Sequence, residues 1–356
     1  MNKKKIVAVD LFCGGGGLTA GLKMAGFSVC AAVELDEAAA TTYSENHKDV
    51  VLFQRDIKQV TAREILNTSP TGKIDLIAAC PPCQGFSSLT AKYKKNDARN
   101  ELINEFARLV REIRPTTIMM ENVPGLEKKG AHLFQPVISE FKDLGYSIDF
   151  RVLEVADYGV PQKRRRLVVL GALNQEIKIP DPTHSITGEK TKKWVTVREA
   201  IGHLPPPIDL QSAKKIGKPK TFNWHVTRNL SQINILRLKS LKPGTSRSEI
   251  PLELRPACHK EGIGFSNVYG RMEWDKPSPT ITGGCTTLSK GRFGHPTEDR
   301  TLSVREAALL QTFPKNYKFA IDHIDKVCNI IGNALPPQFA KMMSKACMIA
   351  INRGQQ

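Results

Sequence analysis

Short apolar runs recur along the first half of the chain, and each run ends at a polar or glycine-rich segment. Runs of this length between turn-forming residues are typical of buried β-strands. A helical spacing of apolar residues lies between two of them, where Leu102, Phe106 and Leu109 share one face ahead of Pro115. The predicted strands are 6–12, 29–33, 50–54, 74–79, 116–120, 146–155 and 167–171. This alternation predicts an α/β fold with a mainly parallel, doubly wound sheet.

Two more helices are predicted near the end of the chain. Ser303 is followed three residues later by Glu306, which is the capping-box pattern, so we expect a helix from this point through Gln311. Residues 332–337 introduce a second helix, which we expect to continue to about Ile351.

The character of the sequence changes at about residue 172. From there to residue 270, short apolar pieces alternate with Pro, Gly, Ser and Lys, and little of the segment has regular periodicity. Polar loops without a domain-sized apolar core are typical of a recognition surface carried by a small scaffold. Trp194 and Trp224 are expected to anchor the core of that scaffold.

Basic residues are most concentrated in this same segment. The 356-residue chain has a net charge of +17, and residues 171–270 hold 16 Lys and Arg against 8 Asp and Glu, a local charge of +8. A lysine-rich face that is only solvated would explain this charge. A surface that binds a polyanion would explain it equally well.

Cysteine usage and hydropathy indicate the cellular setting. The eight cysteines are scattered without the rhythm of a disulfide framework, and only a short apolar strand follows Lys3–Lys5, so a secreted protein is not expected. No apolar run approaches the roughly 20 residues that span a bilayer. We therefore expect a cytoplasmic protein that does not associate with membranes.

A glycine-rich turn follows the first predicted strand. Cys13 and four glycines, at 14–17, separate that strand from a helical segment. Glycines here let backbone N–H groups and a helix N-terminus approach a ligand closely. Glu34 ends the second strand some twenty residues later, where doubly wound folds place an acid against ribose hydroxyls. Because the G-x-G-x-x-G spacing is absent, the pattern predicts a nucleoside pocket only in general terms.

Asp56 and Ile57 follow the third predicted strand, and two interpretations of them are open. Asp56 could bond an adenine amine while Ile57 packs on the base. Asp56 could instead cap a helix over residues 57–66.

Two thiols follow the fourth predicted strand, in the segment Cys80-Pro-Pro-Cys83-Gln-Gly-Phe-Ser-Ser. Open α/β sheets bind ligands outside such strand ends. A zinc site fits poorly because no second Cys-x-x-Cys or paired histidines complete four ligands, and we expect no metal. A redox dithiol fits poorly because Gly85 indicates an extended loop rather than a helix N-terminus. Structural coincidence, redox chemistry and a nucleophilic thiol are all open at this point.

Charged residues follow the next strands. Glu121 ends the fifth predicted strand, at the same sheet edge as Cys83, and is either a surface residue paired with a lysine or a catalytic group. The basic run 163–166 lies between the last two predicted strands. Strict alternation would put Arg164 and Arg166 on one face, where two guanidinium groups can reach one phosphate or carbonyl. A solvated hairpin is the alternative.

Together these segments resemble the DNA (cytosine-5) methyltransferases, in the family's order and over nearly the whole chain. Each segment alone is weak evidence. The ordered set, with a variable basic segment after the arginine run, is highly specific. The matching text is 10–17 (DLFCGGGG), Glu34, 56–57 (DI), 81–87 (PPCQGFS), 121–123 (ENV), 162–166 (QKRRR), 271–282, 305–306 and 332–334 (GNA).

The resemblance implies a Rossmann-like methyltransferase domain at residues 1–180, completed by 327–356, and a smaller, irregular target-recognition domain with a hinge at 181–326. It is closest to the bacterial type found in restriction-modification systems. The implied methyl donor is S-adenosylmethionine, and the implied substrate is a specific sequence in double-stranded DNA. A monomer is expected, and functional pairing with a restriction endonuclease is a further implication.

The resemblance also implies catalytic roles. Cys83 would attack C6 of a flipped-out cytosine, so that C5 can accept the methyl group. Glu121 would contact N3 and the exocyclic amine of the base and donate a proton. Arg164 and Arg166 would hold the base carbonyl and a nearby phosphate. Cys80 replaces a glycine or other small residue of the family pattern and is expected to be a packing residue.

In the implied cofactor pocket, the glycine turn lies around the methionine and ribose. One acid contacts the ribose hydroxyls, and a second acid and an apolar side chain contact adenine. The expected cofactor-binding residues are Phe12, Gly14, Gly16, Glu34, Asp56, Ile57, Pro82, Leu102 and Asn333.

Three alternatives are open from the sequence. The same chemistry on transfer RNA is the nearest, although the long segment 172–270 favours duplex DNA. A catalytically silent DNA-binding regulator is disfavoured by the intact set of predicted catalytic residues. A dithiol oxidoreductase using Cys80 and Cys83 would need no S-adenosylmethionine.

Overall fold

The computed structural model describes residues 5–82, 98–257 and 265–354. The chain divides into two compact units. The first comprises Met1–Tyr158, Arg165–Thr183 and Leu335–Gln356, and the second comprises Gly159–Arg164 and His184–Ala334. The assignment of the predicted domains to catalysis and to target recognition stays a prediction.

The first unit is built on one seven-stranded sheet. Its strands are β1 (Val7–Leu11), β2 (Ser28–Val33), β3 (Val51–Phe53), β4 (Leu76–Ala79), β5 (Thr117–Asn122), β6 (Tyr146–Glu154) and β7 (Arg165–Leu173). They lie in the order β3-β2-β1-β4-β5-β7-β6. The pairings among β1 to β5 are parallel, and β7 is antiparallel to both of its neighbours. The predicted α/β fold with a mainly parallel sheet is confirmed.

Twelve α-helices occur in the described residues. They are α1 (Gly17–Ala25), α2 (Glu37–Asn46), α3 (Ala62–Thr68), α4 (Ile103–Ile113), α5 (Gly125–Lys128), α6 (Ala131–Asp143), α7 (Val197–Ile201), α8 (Leu210–Ile216), α9 (Gln232–Lys239), α10 (Val304–Leu310), α11 (Ile324–Asn333) and α12 (Pro337–Arg353).

Helices cover both faces of the sheet. Alternate residues of the strands, such as Val9 and Ile118, pack with α3, α4 and α6 in one apolar core. Phe106 of α4 and Phe141 of α6 meet there edge to face, with ring centroids 5.5 Å apart. The other residues of each strand face the side on which α1 and α12 lie.

The C-terminal helix α12 packs closely on α1 within the first unit. The approach depends on Gly21, because a Cβ at that position would lie 2.4 Å from the Cβ of Ala340 and 2.6 Å from the Pro337 carbonyl oxygen. Any larger side chain would force the helices apart. The chain therefore returns to the first unit at its C-terminal end.

The segment after β3 differs from the single helix expected at 57–66. Residues Ile57–Gln59 form one 3-10 turn, and α3 begins only after Thr61. Thr61 has extended backbone and forms a reciprocal capping box with Glu64, which starts a new helix. The capping pattern was present in the sequence and explains the break.

The second unit contains short elements around a small core. Its strands form two two-stranded sheets, β8 (His184–Ser185) with β9 (Lys192–Lys193) and β10 (Ile208–Asp209) with β11 (Val226–Thr227). Trp224 is 1% exposed and donates its indole N–H to the Phe319 carbonyl at 3.0 Å, so its predicted anchoring role is confirmed. Trp194 is half-buried, and the Lys163 ammonium lies 5.1 Å from its ring centroid.

The capping box predicted at Ser303 is present. Ser303 and Glu306 bond each other's backbone N–H groups at the start of α10. The helix ends at Leu310, one residue before the predicted end. Within the part of the chain that the structure describes, no helix is long and apolar enough to cross a membrane.

Candidate active site

The carboxyl ends of four neighbouring parallel strands meet at one edge of the first unit's sheet. Leu11 of β1 pairs with Val33 of β2 and with Ala79 of β4, and Ala79 pairs with Met120 of β5. The next residue on each strand therefore lies at the same edge, as expected for a ligand site in an open α/β sheet. These four residues are Phe12, Glu34, Cys80 and Glu121.

The glycine turn after β1 leaves open space. Phe12 has left-handed backbone with φ of 60°, and Gly14 and Gly16 also have positive φ, at 54° and 92°. A Cβ added at Gly14 would meet nothing within 4 Å. Gly16 caps α1 without any side-chain hydrogen bond to the helix N-terminus. Open space beside a helix N-terminus that no side chain caps suits a polar or charged ligand group.

Glu34 is fixed against this turn by backbone donors. Its Oε2 accepts the Gly14 N–H at 2.8 Å, and its Oε1 accepts those of Leu35 and Asp36 at 2.9 and 2.7 Å. Burial raises the pKa of Glu34 above its ordinary value, and the three donated hydrogen bonds oppose that shift. An acid held in this way is suited to accept hydrogen bonds from ribose hydroxyls.

Asp56 caps the 3-10 turn that follows β3. Its Oδ1 accepts the Lys58 N–H at 3.0 Å, so Asp56 is a cap, although of this short turn and not of a helix over 57–66, and contact with adenine stays a prediction. Ile57 is 3% exposed. Arg108 of α4 donates to the carbonyls of Ile57 and Val60 at 3.1 and 3.0 Å and holds this segment in place. Arg108 was not predicted, because its contacts join residues about fifty positions apart.

Asp10 was also missed by the sequence reasoning. It lies inside β1, is 0% exposed, and accepts a hydrogen bond from the Thr19 hydroxyl at 2.7 Å. Thr19 in turn lies 2.8 Å from the Tyr43 hydroxyl, so α1, α2 and β1 share one buried polar chain. Burial raises the pKa of Asp10 to about 7. A single acid inside an apolar strand was the available signal.

Glu121 and Arg166 form an ion pair on adjacent strands. The Arg166 Nε lies 2.6 Å from the Glu121 Oε1, and Glu121 is 8% exposed. Sequence reasoning had offered a surface lysine as the alternative partner of Glu121. The observed partner is a predicted site residue, which brings two of the expected catalytic residues together.

Cys80 lies beside this pair. Burial, the Glu121 carboxylate and Asp10 raise the pKa of the Cys80 thiol well above its ordinary value. The group is therefore a thiol at neutral pH, which counts against a redox dithiol that begins with Cys80. Asn122 donates its side-chain amide to the Pro81 carbonyl at 3.0 Å and ties the segment after β4 to β5.

Arg164 is held by backbone carbonyls just before β7. It directly precedes β7 and belongs to the second unit, whereas Arg166 lies on β7 in the first. Lys163 and Arg165 are exposed and Arg164 and Arg166 are not, which is the alternation expected, and a shared target for the two guanidinium groups stays a prediction. The Arg164 Nη1 donates to the carbonyls of Ile281 and Gly332 at 2.9 and 3.0 Å, and the residue is 4% exposed. Just before it, residues 162 and 163 pair through their backbone with Ser278.

The remaining predicted residues are distributed as follows. Pro82 and Leu102 are half-buried in the first unit, and Asn333 is exposed at the end of α11 in the second unit. Cys83 lies outside the described residues. Among the residues that the structure describes, no group of three or more His, Cys, Asp or Glu could hold a metal ion.

Comparison with known proteins identifies the family. The model of the C-5 cytosine-specific DNA methylases matches residues 6–348. The chain belongs to the C-5 cytosine-specific DNA methylases. The predicted family resemblance is confirmed, and the protein is a DNA cytosine-5 methyltransferase.

Relatives of this methylase include enzymes named as Type II methylases. The Type II methylase M.HgiDII of Herpetosiphon aurantiacus is 38% identical over 344 residues, which cover 95% of this chain and 94% of that protein. The Type II methyltransferase M.AgeI of Thalassovita gelatinovora is 30% identical, over 97% of this chain and 99% of that protein.

Solved structures share the fold of this methylase. A putative DNA modification methyltransferase encoded within an E. coli prophage has a TM-score of 0.75 and 26% identity, covering 98% of this chain and 100% of that one. The S. pombe Dnmt2 methyltransferase has a TM-score of 0.64 at 17% identity, over 98% of this chain and 100% of that one, which shows a likeness of fold alone. The predicted Rossmann-like methyltransferase fold is confirmed.

Proposed function

We propose that this methylase transfers the methyl group of S-adenosylmethionine to C5 of a flipped-out cytosine in a specific double-stranded DNA sequence, through a covalent bond between Cys83 and C6. The observation that carries the proposal is the shared sheet edge. It sets a glycine turn with a fixed Glu34 beside the buried Glu121–Arg166 pair, and the chain continues from this edge to Cys83.

The first unit has features that fit S-adenosylmethionine. The open position at Gly14 and the N-terminus of α1, which no side chain caps, suit the charged methionine end, and the fixed carboxylate of Glu34 suits the ribose. When bound, S-adenosylmethionine supplies an electrophilic methyl group. The proposed cofactor-binding residues are Phe12, Gly14, Gly16, Glu34, Asp56, Ile57, Pro82, Leu102 and Asn333.

The proposed chemistry overcomes the weak nucleophilicity of cytosine C5. The Cys83 thiolate forms a bond to C6 while Glu121 gives a proton to N3, and the electron pair of the C5–C6 bond becomes available at C5. After C5 gains the methyl group, with S-adenosylhomocysteine left behind, C5 loses its proton to solvent, and the bond between C6 and sulfur breaks to restore the Cys83 thiolate. N3 then returns its proton to Glu121. Each turnover therefore returns the protein to its starting state.

The arginines have supporting roles in this proposal. Arg166 holds the Glu121 carboxylate at 2.6 Å and thereby limits the directions that the carboxylate can face. Arg164 and Arg166 are proposed to hold the base carbonyl and a nearby phosphate.

The second unit is proposed to recognise the DNA. A stacked cytosine cannot be reached by a thiol, so the base must leave the helix, at a cost of a few kcal/mol. Contacts between lysines and phosphates release counterions and supply binding free energy, and the charge of +8 in residues 171–270 suits that role. We further propose a cytoplasmic monomer that protects DNA against a paired restriction endonuclease, in line with the Type II names of its relatives.

Trapping on a modified duplex tests the covalent step. With 5-fluorocytosine in the target, the fluorine cannot leave as a proton does, so the bond between Cys83 and C6 should persist through denaturing electrophoresis. The wild type and a Cys30→Ala control should form this complex, and Cys83→Ala should not. A complex formed equally by Cys83→Ala would falsify the assignment of the nucleophile.

Transfer of tritium from labelled S-adenosylmethionine tests the substrate. We expect incorporation into duplex DNA and not into transfer RNA. Incorporation into transfer RNA alone would favour transfer RNA as the substrate. No incorporation into either, with DNA binding retained, would favour a silent regulator.

A further inference from the structure

We propose that Cys80 is a positioning residue for Glu121: its thiol donates a hydrogen bond to the Glu121 carboxylate and, together with Arg166, fixes the direction in which that carboxylate meets the cytosine. The inference rests on the proposed role of Glu121. It assigns to Cys80 a function in the reaction, where sequence reasoning had expected only packing.

Strand register places the two side chains together. The pairing of β4 with β5 joins Ala78 to Met119 and Ala79 to Met120, so the next pair in the same register is Cys80 and Glu121. Facing residues on paired strands project to the same side of a sheet, and their Cβ atoms are neighbours. Cys80 and Glu121 are therefore adjacent because of the sheet itself.

The backbone around Cys80 is held on both sides. The Cys80 N–H donates to the Leu11 carbonyl at 3.2 Å and extends the pairing of β4 with β1. One residue later, the Pro81 carbonyl accepts the side-chain amide of Asn122 at 3.0 Å. These bonds fix the position of the thiol, so that a weak donor can act without a large entropic cost.

The Glu121 carboxylate has two partners of different kinds. The Arg166 Nε lies 2.6 Å from Oε1, with the two side chains 14% and 10% exposed. The Cys80 side chain is the neighbour of this carboxylate in the strand register, and burial, Glu121 and Asp10 raise the pKa of its thiol well above the ordinary value. The thiol therefore has a proton that it can donate to Glu121.

Two partners limit the rotation of the carboxylate more than one partner does. A proton donor to N3 must lie within hydrogen-bond reach of the ring in the correct direction, and small errors in position slow such transfers strongly. Removal of the thiol should therefore slow methyl transfer and leave cofactor affinity unchanged. The glycine or other small residue expected here in the family pattern has no donor, so this contact is a feature of this chain.

The test compares side chains that can and cannot donate a hydrogen bond. Cys80→Ala and Cys80→Gly remove the donor, Cys80→Ser restores one, and Cys30→Ala removes another buried thiol far from Glu121 along the sheet. We expect kcat to fall about fivefold in the two variants without a donor, the factor that one hydrogen bond is worth. The affinity for S-adenosylmethionine, measured by calorimetry, should stay at the wild-type value in all four.

Glu121→Gln separates this inference from the proposed function. If Glu121→Gln keeps the wild-type rate, the role of Glu121 is wrong and the inference fails with it. If Glu121→Gln is inactive but Cys80→Ala or Cys80→Gly matches the wild type in rate, only the positioning role is overturned. A fall in kcat that Cys80→Ser does not reverse, or a loss of affinity for S-adenosylmethionine, would assign Cys80 to packing. Cys80→Gly, the smallest substitution, decides the matter if Cys80→Ala does not fold.

Discussion

The buried carboxyl of Asp10 makes the stability of this methylase depend on pH in a defined direction. Asp10 is 0% exposed, accepts one hydrogen bond from Thr19, and has a pKa that burial raises to about 7, against 3.8 for an ordinary aspartate. Its Oδ1 has no hydrogen-bond partner among the described residues. The substitution Asp10→Asn keeps the shape of the protonated carboxyl and removes the group that titrates.

The magnitude follows from the two pKa values. Below pH 3.8 the group is protonated in both the folded and the unfolded state, and the favourable contribution of its neutral form is complete. Between pH 3.8 and about 7 only the unfolded chain releases the proton, so stability falls as pH rises, and the loss is complete above the folded pKa. About three pH units at roughly 1.36 kcal/mol each give a loss of about 4 kcal/mol.

Urea denaturation of the wild type and Asp10→Asn across this pH range measures the effect. The difference between the two free energies of unfolding cancels the titration of every other group. We expect this difference to shift in favour of Asp10→Asn by about 4 kcal/mol between pH 4 and pH 8. Asp49 offers a control, because it is an exposed carboxylate whose pKa is lowered by its bond with Lys23. The same free-energy difference, measured for Asp49→Asn, should change little and with the opposite sign. A shift for Asp10→Asn below about 1 kcal/mol would refute the reasoning.

Three further outcomes follow from described contacts. Glu34→Gln should weaken S-adenosylmethionine binding at least about tenfold in calorimetry, because an amide lacks the charge that the backbone N–H groups and ribose hydroxyls favour, and unchanged affinity would contradict the ribose role. Gly332→Ala should destabilise the protein by more than about 2 kcal/mol in urea, since a Cβ would lie 2.2 Å from the backbone of residues 282–283, whereas Gly217→Ala should cost less than about 1 kcal/mol. Arg164→Met should lower the urea midpoint by the equivalent of about 2–4 kcal/mol because two backbone carbonyls lose their donor, and an unchanged midpoint would show that these bonds contribute nothing.

The predicted sheet came within one or two residues of the observed strands at most ends. Parallel strands covered on both faces are continuous apolar runs, so β1, β2, β4 and β5 were visible without any alignment. The capping box at Ser303 was also predicted correctly from the local sequence. The helix expected at 57–66 failed for a local reason, because the capping box at Thr61 was not weighed against the apolar spacing.

Much of the site's location could be predicted, because residues that follow parallel strands must share an edge. Glu34 and Glu121 were found in this way. The contacts that hold them were not accessible, since they join distant parts of the chain. The bonds from Arg164 to the carbonyls of Ile281 and Gly332 join residues more than a hundred positions apart and cannot be seen in local sequence. Asp10 was passed over because its environment depends on how α1 and α2 pack against β1.

Bisulfite sequencing of DNA from cells that express the wild type, and from cells that express Cys83→Ala, tests the central claim most directly. The account predicts that the wild type protects one cytosine within a short recurring sequence from conversion, and that Cys83→Ala protects none. Protection that is absent with the wild type, or equal with both proteins, would contradict it.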